Sequence, residues 1–415
     1  MSRQLGLAAF AAAVLLPIAP SSHAQAVEPP GPAPTLDQVV AIALQHNPDV
    51  VLARLNAESM RGEQRIARAL PNPQLQSAPN QPWQYTITMP LDITPQRLLR
   101  TRAAARGSSA ALDDAVDAER EVRFAARQAF LDVLLAERQR DLANERRDTF
   151  EQLLRADSAR LVAGDIPPRE VTKAELEEAR AAADVARADG QVHAARLALQ
   201  LIMGIASPDT GFRVAGELVY RAVDLPLDSL SQLATGRADV RAAAERVAQT
   251  KALDGLATAS LFPLPVLTFS HSAQVFPRGD LFTFGTRNSI GVGFTFPLFY
   301  FNGGERQVAR AAAAEARLDV QRLDARVAND VATALDAYRS TRMLSERYQS
   351  GLLARARDVL QTAQYAYRTG AVSLLELLDA IATYSDTRAD YYAAVHDYWV
   401  AVYALARATG REWVL

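Results

Sequence analysis

The chain has 415 residues, no cysteine and a formal net charge of −2. The missing cysteines exclude disulfide bonds, thiolate metal sites, thiol catalysis and an acylated N-terminal cysteine. The nearly balanced charge argues against nucleic acid as a partner. The scattered histidines form none of the spacings typical of a metalloprotease or of a nucleophile motif, so we predict no enzymatic activity, no cofactor and no metal site.

Residues 1–24 are predicted to be a secretory signal peptide. Arg3 precedes a short apolar run, and a small-x-small cleavage site ends at Ala24, with Ala26 as a second choice. The apolar run is too short to span a bilayer as a helix, and no longer one follows it. We therefore expect an exported protein without a transmembrane helix, in which residues 25–34 form a linker.

The next part of the chain predicts long helices around one pair of strands. A helix over 35–70 precedes a β-hairpin over 72–91, and a long helix over 95–162 is followed by a helix over 167–203. Prolines cannot continue the first helix. The long segment has no internal proline, and at ~1.5 Å per residue it approaches ~100 Å. That length indicates a coiled coil or a tunnel wall.

Between the two halves of the chain, alternating apolar residues predict a small strand-containing connector. These residues are Phe212, Val214, Leu218 and Val219.

The same order of elements is predicted again further along the chain. It comprises a helix over 227–261, a β-hairpin over 264–298, a long helix over 304–369 and a helix over 372–409. Apolar residues in the long helix recur in steps of three and four, the spacing of supercoiled helices. They are Val320, Leu323, Val327, Val331, Leu335 and Tyr338, then Tyr348, Leu352, Ala356, Val359, Ala363 and Tyr367.

Landmarks recur in the same order in residues 35–215 and 216–415, which predicts an internal duplication. The spacing from Gly164 to Gly370 equals the spacing from Gly204 to Gly410. Further matched landmarks are Leu36-Asp37 with Leu227-Asp228, Pro71-x-Pro73 with Pro263-x-Pro265, and Met89-Pro90-Leu91 with Phe296-Pro297-Leu298.

Both hairpins are predicted to be membrane strands. Apolar and polar side chains alternate over residues 83–89, 267–275 and 289–298, and several of the apolar ones are aromatic. Such runs favour an outer-membrane barrel, in which one face of each strand meets lipid. A half-buried strand in a soluble sandwich is the alternative. His271 falls among the positions that would face lipid, which places it near the barrel rim.

Four strands cannot close a barrel, because the smallest stable barrels have about eight. Open strand edges cannot face lipid, so the chain must oligomerise as a dimer with eight strands or a trimer with twelve. Eight strands leave an interior filled by side chains, whereas twelve leave a channel. Transport therefore favours a homotrimer.

The chain resembles the TolC-type outer membrane efflux factor family over residues from about Leu36 to Gly410. The resemblance implies a mostly α fold with a small β portion: a long helical-hairpin tunnel in the periplasm and an outer-membrane β-barrel built from four strands per chain, internally duplicated and trimeric. It also implies docking on a periplasmic adaptor (membrane fusion) protein and an inner-membrane efflux pump. The residues that support the resemblance are Leu36-Asp37, Asn47-Pro48, Leu70-Pro71-Asn72-Pro73, Phe296-Pro297-Leu298 and the two Gly turns.

The resemblance carries over two sets of site residues. The family closes its tunnel with acidic rings, and the matching positions are Glu376 and Asp379. These two lie with Asp386 and Asp390 in one arc of a helix, and rings of carboxylates select cations in pores. An ordinary solvated helix face is the alternative. The hairpin tips of the family receive the adaptor, unless they are merely turns, and the matching residues are Gly164, Asp165, Ile166, Gly370, Ala371, Val372 and Ser373. Val372 stands where many members of the family have a basic residue, which leaves a salt-bridge lock of the closed state without its basic partner.

The predicted function is that of the outer membrane channel of a tripartite efflux system that exports small solutes. Heavy-metal cations are the favoured cargo, because the short chain without a lipid anchor is similar to the heavy-metal branch that serves resistance–nodulation–division pumps. Multidrug efflux and type I protein secretion are alternatives. A soluble periplasmic coiled-coil structural or adaptor protein would explain the helices but not the hairpins.

Overall fold

The computed structural model describes residues 33–78, 84–225, 230–278, 281–294 and 298–412. The predicted signal peptide, residues 25–32 of the linker, and the landmarks Leu227-Asp228 and Phe296-Pro297 lie outside these ranges. None of the described helices is long and apolar enough to cross a membrane. The helices are α1 Leu36–His46, α2 Pro48–Arg68, α3 Pro95–Ala163, α4 Pro168–Ile202, α5 Leu230–Ala234, α6 Ala238–Ala259, α7 Gly303–Arg347, α8 Leu353–Arg368 and α9 Leu374–Thr409. The strands are β1 Gln74–Ala78, β2 Gln84–Pro90, β3 Val266–Arg278 and β4 Leu281–Gly293.

Four glycines mark the ends of helices and confirm the duplicated plan. Within the described residues, positive φ among glycines occurs at Gly164, Gly204, Gly370 and Gly410, which are the two pairs matched in the sequence. At each one the helix closes with the same two backbone hydrogen bonds, such as Asp165 N–H to the Arg160 carbonyl at 2.9 Å. Glycine suits this left-handed position because it has no Cβ.

Helix α3 confirms the first predicted long helix, with 69 unbroken residues. The shorter helices meet end to end beside it. In the first repeat, the Asn47 side-chain amide donates to the carbonyl of Ile202 at 2.9 Å, which joins the start of α2 to the end of α4. In the second repeat, Arg237 donates to the carbonyl of Ala408 at 3.2 Å, which joins α6 to α9. The same junction therefore occurs in both repeats.

The prediction of one continuous first helix in each repeat is wrong. The segment 35–70 is two helices, because Asn47 precedes Pro48 and takes an extended conformation with ψ 128°. The residue before a proline is disfavoured in the helical region. The Asn47 side chain then accepts the N–H of Asp49 at 2.9 Å and caps α2. The segment 227–261 breaks similarly between α5 and α6, at a turn that contains Gly236 and Arg237.

Two further predictions are wrong. The long helix over 304–369 is interrupted by a π turn at Tyr348–Leu352, between α7 and α8. The described part of the connector, residues 204–225, contains no strand. Phe212 and Leu218 are instead buried against the helices, at 4% and 2% exposure, whereas Val214 is half-buried and Val219 is 41% exposed. Alternation along the connector thus reflects burial of an irregular segment, not a sheet.

The four strands form one antiparallel sheet in the order β1-β2-β3-β4. Leu75, Ile87, Phe269 and Ile290 stand opposite one another in a row across all four strands. The neighbouring row on the other face contains Thr86, Ser270 and Ser289, so the predicted alternation of apolar and polar faces is confirmed. β1 and β2 have 5 and 7 residues against 13 each in β3 and β4, so the first hairpin is the shorter one.

His271 has a specific partner across the strands. Its register partner is Asn288, and its Nδ1 lies 2.7 Å from the side-chain oxygen of that residue. His271 and Asn288 lie two positions beyond the pair Phe269 and Ile290, toward the end of β3 and the start of β4. A hydrogen bond to a neighbouring side chain offsets the cost of placing an imidazole on a mainly apolar face.

Among the described residues, two of the three hydrophobic clusters join helices of both repeats. The larger joins α1, α3, α7, α9 and the connector near the middle of the long helices, with Tyr338, Tyr398 and Val395 almost completely buried. The smaller lies toward the two helical tips and contains Phe150, Ala181, Tyr367, Leu374, Leu377 and Ile381. The predicted stripe of the second long helix is therefore split between two cores.

His396 joins the two repeats beside the larger cluster. Its Nε2 lies 2.8 Å from Asp132 of α3, and its Nδ1 lies 3.0 Å from the neighbouring Asp397. Burial lowers the pKa of His396, but the hydrogen bonds to the two carboxylates outweigh it and raise the pKa above its usual value. Both ring nitrogens face carboxylate oxygens, which only accept hydrogen bonds, so the arrangement fits the imidazolium form.

Candidate functional site at the helical tips

The two predicted tips are the reversals between α3 and α4 and between α8 and α9. Gly164, Asp165, Gly370 and Ala371 are exposed there, and a Cβ added at either glycine would meet nothing within 4 Å. These residues, together with exposed Ser373, form an open surface. Glycine at the two turns is explained by positive φ, at 81° and 73°.

Two predicted tip residues face inward. Ile166 is only 8% exposed, so it packs beneath the first turn. Val372 packs against the smaller hydrophobic cluster. Val162, which the sequence analysis did not single out, is 90% exposed beside the first turn. An apolar side chain this exposed at a tip is a better contact for a partner than Ile166.

Glu376 and Asp379 both lie exposed on the first turns of α9. The hydroxyl of Ser373 accepts the N–H of Glu376 at 3.4 Å and lies 3.4 Å from its carboxylate, so Glu376 also belongs to the cap of α9. A carboxylate at this position is favoured by the helix dipole. Among the described residues neither carboxylate forms an ion pair, whereas Glu177 and Asp184 of α4 pair with arginines three positions on.

A buried carboxylate links the two hairpins near their tips, and it was not among the residues predicted from the sequence. The Tyr367 hydroxyl of α8 donates to Oδ1 of Asp157 of α3 at 2.8 Å, and the Asp157 side chain is 0% exposed. Its second oxygen has no hydrogen-bond partner among the described residues. Arg160 lies 3.8 Å from Asp157 and stacks 5.2 Å from the Tyr367 ring centroid. We call Asp157, Arg160 and Tyr367 the tip clasp.

The electrostatics of the tip clasp keep the tyrosine as the donor. Burial raises the pKa of Asp157, and the hydrogen bond from Tyr367 offsets part of that rise. Burial and the bond to Asp157 raise the pKa of Tyr367, so its hydroxyl keeps its proton. The sequence held one signal: Phe150, Leu154, Asp157 and Leu161 follow steps of four, three and four, which places an acid in an apolar seam.

A groove of about 350 Å³ runs beside the tip clasp, between α3 and the second hairpin. Leu153, Leu377 and Ile381 supply its apolar wall, and Gln152 and Gln364 supply polar groups. Among the described residues, no group of three or more histidine or acidic side chains could hold a metal ion. The tips therefore combine an open surface, two unpaired acids and a buried contact between hairpins.

Comparison with known proteins finds relatives that cover most of the chain. The chain is 25% identical to the cobalt-zinc-cadmium resistance protein CzcC of Cupriavidus metallidurans, over 91% of this chain and 90% of CzcC. It is 26% identical to the cation efflux system protein CusC of Escherichia coli K12, over 82% of this chain and 79% of CusC. It is also 26% identical to the probable outer membrane lipoprotein SilC of Salmonella typhimurium, over 92% of this chain and 87% of SilC.

Solved structures agree on the fold. The chain superposes on CusC with a TM-score of 0.78 at 22% identity, over 91% of this chain and 92% of the CusC chain. It superposes on the Campylobacter jejuni CmeC outer membrane channel with a TM-score of 0.78 at 18% identity, over 90% and 85% of the two chains. The outer membrane efflux protein family matches residues 39–205 and 229–411, one segment in each repeat. The chain belongs to the outer membrane efflux protein family.

Proposed function

We propose that the protein is the homotrimeric outer membrane duct of a tripartite efflux system and that it exports heavy-metal cations. The sheet carries this proposal. It has four strands, an apolar face, and outer edges at β1 and β4 that pair with no other strand among the described residues. Lipid cannot satisfy such edges, and three copies would supply twelve strands around a channel.

The cation cargo is supported by the names of relatives. CzcC is named for resistance to cobalt, zinc and cadmium, and CusC for cation efflux. The tip chemistry is compatible with a cationic cargo. Three copies of Glu376 and Asp379 would surround the tunnel axis, and rings of unpaired carboxylates favour cations over anions.

The tips would close the duct and receive its partner. The tip clasp joins the first hairpin of a chain to its second, and we propose that this bond holds the closed state. A periplasmic adaptor would contact the exposed turn residues Gly164, Asp165, Gly370, Ala371 and Ser373. An inner-membrane pump would then deliver the cation through the adaptor to the opened tips.

The experiment is a deletion strain challenged with zinc, cobalt, cadmium and copper, with a structurally unrelated drug as the comparison. We expect tolerance of at least one metal to fall and to return when the gene is restored. Cross-linking in native membranes should give a trimer that only detergent extracts. Unchanged tolerance of all four metals together with loss of drug tolerance would replace the cation cargo with drugs, and a monomer in the membrane would overturn the duct itself.

A further inference from the structure

The two long helices of this duplicated chain differ at one place. Helix α3 is unbroken over 69 residues, whereas its counterpart in the second repeat contains the π turn Tyr348–Leu352. Within that turn Gly351 leaves helical values, with φ 165° and ψ −19°. A π turn adds one residue to a helix and often lies at a functional position. The asymmetry means that only the second hairpin has a built-in break.

The helix above the π turn is fixed to the middle of the molecule. The Tyr338 hydroxyl donates to the Val223 carbonyl at 2.6 Å, and the N–H of Val223 donates to the Tyr398 hydroxyl at 2.9 Å. The Ser345 hydroxyl, which is fully buried, donates to the Ala394 carbonyl of α9 at 3.1 Å. The Tyr220 hydroxyl also donates to Glu346 at 3.0 Å, so α7 is held to the connector and to α9 until two residues before the turn.

The segment around the π turn has little to hold it. No side chain is buried between Ser345 and Ala356, and Leu352 is 43% exposed although it belongs to the apolar stripe. Tyr348 contacts α9, with its ring centroid 6.4 Å from that of Tyr391. Below the turn, α8 packs through the smaller hydrophobic cluster near the tips. The turn therefore lies between two cores and belongs to neither.

We infer that the π turn at Tyr348–Leu352 is the hinge on which the tip of the second hairpin swings, while α7 and the first hairpin stay in place. The inference rests on the proposed function, since it explains how the proposed duct opens. Helix α9 passes the turn without a break, so it must bend. Helices commonly curve with radii of ~60–100 Å, which over the ~24 Å of α8 amounts to ~14–23°, so a bend of ~10° stays within the range that helices adopt.

The length of α8 sets the size of the motion. About 18 residues separate Gly351 from the second tip, which gives a lever of ~27 Å at ~1.5 Å per residue. A swing of ~10° on that lever moves the tip by ~5 Å. The moving part carries Tyr367 of the tip clasp and both Glu376 and Asp379, so the hinge would move the gate as one body.

The test uses spin labels, because the chain has no cysteine and accepts single labelling sites cleanly. Ala371→Cys reports the second tip and Ala163→Cys the first, in the full trimer, by pulsed electron–electron double resonance. Gly351→Ala raises helix propensity by about 1 kcal/mol, and deletion of Gly351 removes the extra residue of the turn. Gly190→Ala on α4 is the matched control, since neither glycine would bring an added Cβ closer than 4.0 Å to another atom.

When Tyr367→Phe weakens the tip clasp, we expect distances between Ala371→Cys labels to lengthen by about 8–9 Å, the threefold geometry applied to a ~5 Å shift. Labels at Ala163→Cys should stay in place. Gly351→Ala and the deletion should each reduce the displaced population several-fold, and Gly190→Ala should not. If the deletion fails to form trimers, Gly351→Ala alone decides.

Equal displacement in the Gly351→Ala and Gly190→Ala proteins would overturn the hinge, and so would a first tip that moves as far as the second. Label distances report the motion whatever the cargo is. Metal tolerance of the deletion strain tests the proposed function separately, so failure of one is distinguishable from failure of the other.

Discussion

Replacing Tyr367 with phenylalanine removes one hydroxyl and leaves the ring. Asp157 would then lose its hydrogen bond of 2.8 Å while its side chain stays 0% exposed. Its second oxygen already lacks a partner, and Arg160 at 3.8 Å is too distant to replace the bond. Because the acceptor is a buried carboxylate, the loss should cost about 1.5–3 kcal/mol per chain.

A trimer multiplies this cost. Three clasps that open together contribute roughly 5–9 kcal/mol to the closed state, and about 5.5 kcal/mol is enough to move a two-state equilibrium from 1:99 to 99:1. We therefore expect Tyr367→Phe to convert a mostly closed channel into a mostly open one in planar-bilayer recordings. The effect should shrink as pH falls, because burial raises the pKa of Asp157 and a protonated Asp157 no longer buries a charge.

The matched control is Tyr365→Phe, which removes the hydroxyl of a tyrosine on the same helix that is 65% exposed. It should leave conductance unchanged. A double-mutant cycle with Asp157→Asn should show that the two changes are far less than additive, because they break the same bond. Additive effects, or equal conductance in the two tyrosine variants, would refute the clasp as the closing contact.

Three more predictions follow from particular contacts. Gly204→Ala should lower the midpoint of thermal unfolding much more than Gly164→Ala. Both glycines have positive φ, but only a Cβ at Gly204 would lie 2.3 Å from a backbone oxygen, that of His46. Equal unfolding midpoints of the two variants would contradict the steric argument. His396→Gln should destabilise the protein by about 1–2 kcal/mol at pH below ~6.5. The destabilisation should shrink as pH rises through the raised pKa of His396, because the parent protein then loses its imidazolium hydrogen bonds. A difference in unfolding midpoint that does not change with pH would contradict this. Glu376→Gln with Asp379→Asn should weaken block by divalent ions and reduce cation selectivity with little change in trimer stability, and parental conductance, selectivity and block would leave the two acids as a solvated surface.

Much of this architecture was readable from local sequence. The sheet follows from strict alternation, since successive side chains of a strand point to opposite faces. The unbroken α3 follows from a long segment without an internal proline, and the tips from glycine at the left-handed position of a helix end. The duplication, and with it the family, followed from the order of these local signals in both halves.

Other features depend on contacts between distant segments. Asn47-Pro48 carried a local signal for the helix break, because a residue before a proline disfavours the helical region. What the sequence could not show is that the Asn47 amide meets the carbonyl of Ile202, 155 positions away. The connector alternates like a strand, but it lies against helices that bury Phe212 and Leu218 and offer no ladder of backbone hydrogen bonds. Local pattern could not tell these environments apart.

The tip clasp and the π turn show the same division. Tyr367 was predicted as part of an apolar stripe, and only the packing of α8 against α3 brings its hydroxyl to Asp157, 210 positions earlier. No proline in the sequence marks the π turn, and its position is set by the two cores that fix the helix on either side. The sequence by itself determined the long helix α3, the alternating strands and the glycine turns, because these depend on neighbours along the chain. The tertiary structure decided which polar groups meet and where a helix is interrupted, because both depend on distant segments that pack against the helix.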